Sequence, residues 1–195
     1  MPRLNSVFLP EAFYHRKYVT VRGSPHFIPL LPIVIGDFYQ FFSIQTPEMY
    51  EFCMNILRGS GQITDLVIGN YVCPFANVTV FNLSVYPRLK SLRIGINGFE
   101  FVKEVRLIGL YSLESVEIGM NSFTQHKNSS GNDPDRHFYL KNCPQLRELR
   151  VRDYSFSDYR VIKIENVDAL EVIEMGIRVF NYASLELKSV LIHSE

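Results

Sequence analysis

The stretch LESVEIGMNSF (113–123) has a near-copy upstream, LKSLRIGINGF (89–99), and two looser copies downstream, LRELRVRDYSF (146–156) and LEVIEMGIRVF (170–180). Aligned on their first leucines, Leu89, Leu113, Leu146 and Leu170, the phrases stand 24, 33 and 24 residues apart. The long step contains TQHKNSSGNDPDR (124–136), a polar stretch bearing Gly131 and Pro134. Without roughly nine of those residues the period is regular, and a regular period of 20–50 residues marks a solenoid. A fifth, weaker copy, ITDLVIGNYVC (63–73), precedes the others.

The apolar residues recur at positions 1, 4, 6 and 11 of each phrase. In the central copy these are Leu113, Val116, Ile118 and Phe123. Positions 4 and 6 are two apart and so share one face of a strand, while position 5 points the other way. Gly69, Gly95, Gly119 and Gly176 follow the strand. Arg152 takes that place in the fourth copy. Glycine there permits positive φ or a close backbone approach where the chain turns a corner. Position 11 is Phe99, Phe123, Phe156 and Phe180, which stacked coils would set in a row inside the core. The other half of each period carries a second strand pattern, in FANVTV (75–80), VKEVRL (102–107), HFYL (137–140), YRVIKI (159–164) and YASLEL (182–187). The expected fold is mainly β: a parallel β-solenoid of about five 24-residue coils with two strands per coil.

The phrase LxxLxIxxNxF resembles the leucine-rich repeat motif. Leu89, Leu92, Ile94 and Asn97 match it with Phe99 at the last leucine position, and Leu113, Val116, Ile118, Asn121 and Phe123 match it equally well. The paired-strand form is most similar to the short-period surface-antigen-type repeats found in bacteria and protists, over about residues 63–187. The resemblance implies a binding role of unspecified ligand and an asparagine amide that bonds backbone between coils. Tyr154 and Arg178 replace that asparagine in the last two copies. A strand in the second half-coil in place of a helix argues against a strongly curved horseshoe.

Residues 1–60 read as an N-terminal cap region, and 61–195 as the repeat solenoid. YVTVRG (18–23) has the look of a short strand, and Leu30, Ile33, Ile35 and Gly36 mimic one repeat phrase. A helix is expected over about 47–58: Thr46 caps, Pro47 suits the first turn, Glu48 complements the dipole and Gly59 ends it. Such a segment would cover the apolar edge of the first coil.

Lys plus Arg and Asp plus Glu are 20 each, so no general electrostatic pull draws the chain to nucleic acid or anionic lipid. The longest apolar run, FIPLLPIVIG (27–36), is far short of the roughly 18 residues of a membrane span. Cys53, Cys73 and Cys143 are dispersed and odd in number, which reads as reduced, buried thiols. With no signal peptide in the N-terminal stretch, that favours a cytoplasmic location. No nucleotide, metal or nucleophile motif is present, so no cofactor is expected, and the reading is not an enzyme.

The exposed strand positions supply a candidate binding face. Position 2 reads Lys90, Glu114, Arg147, Glu171, and position 5 reads Arg93, Glu117, Arg150, Glu174. Both rows alternate in sign from coil to coil, as cross-strand ion-pair ladders would. Position 8 adds the apolar Ile96 and Met120, with Asp153 and Ile177 further along. A mixed-sign face suits a protein partner better than nucleic acid. On the opposite side Lys103, Arg106, Arg136, Arg160 and Lys163 form a more basic stripe, read as solvated. The 124–136 insertion reads as a floppy projection. Asn77, Asn82 and Asn128 begin N-x-S/T triplets that matter only in a secreted protein.

The functional expectation is therefore a non-enzymatic repeat scaffold that binds protein. The alternatives are a carbohydrate-binding or carbohydrate-active β-coil protein, or an inactive fragment of a longer repeat protein. YASLEL is followed by KSVLIHSE, too short for another coil, which leads to an expectation of an open edge and self-association through residues 182–192.

Overall fold

The computed structural model describes residues 33–35, 47–59 and 61–188. The elements in chain order are β1 (Ile33–Ile35), α1 (Pro47–Arg58), β2 (Asp65–Ile68), β3 (Val80–Asn82), β4 (Ser91–Ile94), β5 (Glu104–Ile108), β6 (Ser115–Ile118), β7 (Asp133–Lys141), β8 (Glu148–Val151), β9 (Tyr159–Glu165), β10 (Val172–Met175) and β11 (Ser184–Lys188). One sheet runs β1-β2-β4-β6-β8-β10 and the other β3-β5-β7-β9-β11. Each pairing is parallel, so the chain is a β-solenoid of about five turns in which each turn gives one strand to each sheet.

The register follows the repeat. Leu66, Leu92, Val116, Leu149 and Ile173 form one row, the position 4 residues of the five phrases. Position 6 aligns likewise as Ile68, Ile94, Ile118, Val151 and Met175. β1 extends the first sheet by one rung, with Ile33 opposite Leu66, in line with the phrase-like Leu30, Ile33 and Ile35. The 18–23 strand reading lies outside the described residues. In the second sheet the FANVTV alignment is corrected by three residues. Val78, Phe81 and Leu83 are the buried set, Phe81 pairs with Val105, and Val80 faces solvent.

Between the sheets the phenylalanine row is a continuous stack. Ring centroids of Phe99, Phe123, Phe156 and Phe180 follow one another at 5.0, 4.9 and 4.9 Å, nearly parallel. Phe81 and Phe138 meet this stack edge-on. All four stacked residues have positive φ, between 51° and 57°, and Asn97, Asn121, Tyr154 and Arg178 two residues before them have φ between 56° and 61°. The left-handed corners thus fall on phrase positions 9 and 11 and not on the position 7 glycines. Left-handed backbone at a non-glycine residue is costly, of order 1 kcal/mol or more, and the burial of a phenylalanine at each corner offsets it. The glycines serve close approach instead. A Cβ on Gly119 would lie 2.5 Å from the Gly95 carbonyl group, and one on Gly95 would lie 2.7 Å from the Gly69 carbonyl carbon.

Helix α1 begins at Pro47 and ends where Gly59 adopts φ +72°. It buries Cys53 and Ile56 against the first coil, where Tyr86 Oη donates to the Ile56 carbonyl at 2.6 Å. Cys53 and Cys73 are joined in a disulfide, which corrects the expectation of three reduced thiols. Cys73 holds position 11 of the weak first phrase, so the bridge stands at the head of the phenylalanine row and ties the helix to it. Cys143 remains a buried thiol whose pKa burial pushes up to about 11, so it is unreactive at neutral pH. Replacing both bridged cysteines with serine should cost about 3 kcal/mol, the entropy of reopening a loop that spans 20 residues. Dithiothreitol should lower the melting temperature of the wild type to about that of the double variant and leave the double variant unmoved. A wild-type melt indifferent to reductant would refute the bridge's role.

Candidate binding surface

The first sheet points its position 5 residues outward and its position 4 and 6 residues into the core. Val116 is 1% exposed, and the Glu117 side chain beside it is 34% exposed. The two charge rows are adjacent rungs, as the repeat requires. Lys90 lies 3.9 Å from Glu114, Arg93 Nε lies 2.9 Å from Glu117, and Arg150 Nε lies 3.3 Å from Glu174. The alternation is not paired throughout. Glu117 and Arg150 share a register position, yet Arg150 turns to Glu148 at 2.6 Å while Glu117 receives Arg152 at 3.6 Å. Among the described residues Arg147 and Glu171 form no ion pair, although the Glu171 amide donates to the Arg147 carbonyl at 2.9 Å. Pairs this exposed contribute roughly 0–1 kcal/mol each, so they set register more than they stabilise.

The corner beside this sheet holds a groove of about 540 Å³. Gly95 and Gly119 lie in its lining, each packed so closely on the coil before it that no side chain would fit. Ile96 and Met120 supply apolar wall, and Arg93, Glu117, Arg152 and Asp153 supply the charged rim. The structure therefore brings together Arg93, Ile96, Glu117 and Met120 of the candidate face. Lys90 and Glu114 lie beyond the groove lining, as do Arg147, Arg150, Glu171 and Glu174. Arg152 and Asp153 belong to the groove and were not among the candidate residues. The signal was present, since Arg152 breaks the glycine column and its long side chain spans to Glu117 and to Glu174, 3.9 Å away.

The polar groups behind the groove lock its backbone. Asn70 Oδ1 accepts from the Ile96 amide at 2.7 Å, and Asp153 Oδ1 accepts from the Ile177 amide at 2.9 Å. The ladder between coils runs through position 10, where Ser122 Oγ accepts from the Gly98 amide and Ser155 Oγ from the Ser122 amide. Each hydroxyl in turn donates to a glycine carbonyl, Ser122 to Gly95 and Ser155 to Gly119. Serine thus does the bridging that the leucine-rich resemblance assigns to asparagine. The Asn121 amide instead holds the insertion, exchanging two hydrogen bonds with Asn128.

The insertion is correspondingly ordered at its base, which corrects the floppy reading. Thr124 Oγ1 lies 2.9 Å from Ser157 Oγ, and Asp158 Oδ2 accepts from the Gln125 amide at 3.1 Å. Arg136 is 1% exposed and is not part of the outer basic stripe. Its guanidinium donates to the carbonyls of Glu100 and Val102 and to Gln125 Oε1, 3.4 Å from Asp158 and above the Tyr159 ring. Burial raises the Asp158 carboxyl above the usual range, and the neighbouring Arg136 charge opposes that shift. Lys103 and Lys163 of the stripe pair with Asp135 and Glu186, at 3.4 and 3.1 Å.

Among the described residues no three His, Cys, Asp or Glu side chains converge as metal ligands, and no helix is long and apolar enough to cross a membrane. Comparison with family models, with curated proteins and with solved structures finds no match to this chain.

Proposed function

We propose that the chain is a non-catalytic scaffold that binds a protein partner on the outer face of its first sheet, with the groove as the anchoring point. The observation that carries this reading is the groove's composition: two glycines in the lining, an adaptable methionine wall and a rim of two cations and two carboxylates. An apolar anchor side chain fits the wall, and methionine accommodates anchors of varied shape. The rim charges neutralise one another, as Glu117 lies within ion-pair distance of both Arg93 and Arg152. A balanced rim suits the mixed polar edge of a protein interface and offers a polyanion no net attraction. The leucine-rich resemblance points to the same kind of role.

The test is quantitative capture from a cell extract by immobilised chain, with Ile96→Glu/Met120→Glu on the groove and Lys103→Ala on the other sheet as a control. The expected result is at least a tenfold loss of the captured partner for the groove variant and no loss for the control. Equal capture by all three contradicts the reading. A glycan-array signal lost in the same groove variant would make the surface a carbohydrate site instead.

A further inference from the structure

The last described turn of the solenoid presents an open end. β10 and β11 are the outermost strands of the two sheets, and among the described residues nothing pairs with their outer edges. Ile173, Met175, Leu185 and Leu187 hold inward-facing register positions yet are 52, 42, 55 and 61% exposed. Their partners one turn earlier, Leu149, Val151, Ile162 and Ile164, are all at or below 3%. The end combines unpaired strand edges with the apolar cross-section of a core, which is a template for strand addition.

The charges on the outer face of β11 indicate what fits there. Lys141, Glu165 and Lys188 form one register row of alternating sign, with Lys141 Nζ 2.9 Å from Glu165. In the neighbouring row Glu186 pairs with Lys163. Set a second β11 antiparallel to the first, with Leu187 of each copy on the symmetry axis. Glu186 of each copy then faces Lys188 of the other. The alternating row continues without a break from Lys141, Glu165 and Lys188 into Glu186 and Lys163 of the second copy. A slip of two residues would set Glu186 against Glu186, and like charges directly opposite are destabilising. The side chains of this edge therefore select one self-complementary register.

We propose that this end of the solenoid is a self-association surface, where two copies join β11 to β11 in antiparallel pairing about Leu187. The same axis brings the exposed Ile173 and Met175 of both copies into the interface. The contact is isologous, so it closes at a dimer and does not propagate into a fibre.

The test uses the full chain in sedimentation and light scattering across a concentration series. Wild type should be a dimer. Glu186→Lys alone and Lys188→Glu alone each set like charges across the junction twice, and each should weaken the dimer at least tenfold. Both side chains face outward, so the circular-dichroism spectrum should stay that of the wild type. An equimolar mixture of the two variants should recover dimer. In the mixed pair the lysine introduced in one copy faces the glutamate introduced in the other, and the unaltered Lys188 of the first faces the unaltered Glu186 of the second. A wild type that stays monomeric at the highest concentration overturns the proposal. So does a dimer indifferent to both variants, or a mixture that fails to recover.

Discussion

Replacing Arg136 with alanine is expected to lower the unfolding free energy by about 3–5 kcal/mol, the usual cost of removing one partner of a buried ion pair. The side chain lies between Val102 and Tyr159, where it satisfies the carbonyls of Glu100 and Val102 and neutralises Asp158, itself 1% exposed. Alanine would leave the Glu100 carbonyl without its donor and the Asp158 carboxylate without its cation, while Val102 would keep only its 2.7 Å bond from Tyr159 Oη and Asp133 would lose a 3.3 Å contact. The base of the insertion should loosen with it, because Asp158 also accepts from the Gln125 amide. Urea denaturation monitored by circular dichroism measures the loss. Arg136→Met combined with Asp158→Leu should recover part of it, since exchanging both charges for apolar groups leaves none unpaired. A loss below about 1 kcal/mol in Arg136→Ala would mean that the pair is hydrated in solution and does not anchor the insertion.

That cluster also shows where the sequence was opaque. Phrase positions 1, 4 and 6 announced themselves by alternation and period, so the two sheets, the strand phase and the phenylalanine row were legible from the residues alone. Arg136 was not legible. Its neighbours along the chain are polar and its residue type belongs to surfaces, although strand alternation with the buried Phe138 and Leu140 sets it on the inward face. The disulfide was hidden for a different reason. Cys53 lies on the helix and Cys73 at a phrase position otherwise held by phenylalanine, so their proximity comes from how the helix covers the first coil. The misplaced second strand of the first coil arose because Phe75, Val78 and Val80 imitate the apolar spacing of Val78, Phe81 and Leu83. Of the groove, the face was readable from the outward positions. Its glycine lining was not, because the glycine column read as a turn signal when its physical role is close approach between coils.

The proposed binding surface requires that position 4 of each phrase point inward and position 5 outward on a 24-residue coil. The most direct check compares two neighbouring substitutions in the central phrase. Val116→Asp should be destabilised by about 3–5 kcal/mol, because it places an unpaired carboxylate between the buried Leu92 and Leu149. In a chain of this size that corresponds to a melting temperature lower by on the order of 10 °C. Glu117→Gln, one residue along, removes only partly exposed ion pairs with Arg93 and Arg152 and should cost less than about 1 kcal/mol. Thermal melts of the two variants beside the wild type decide the matter: a large drop for Val116→Asp with a near-native Glu117→Gln is the predicted result, and equal melting temperatures would contradict the strand phase and the surface built on it.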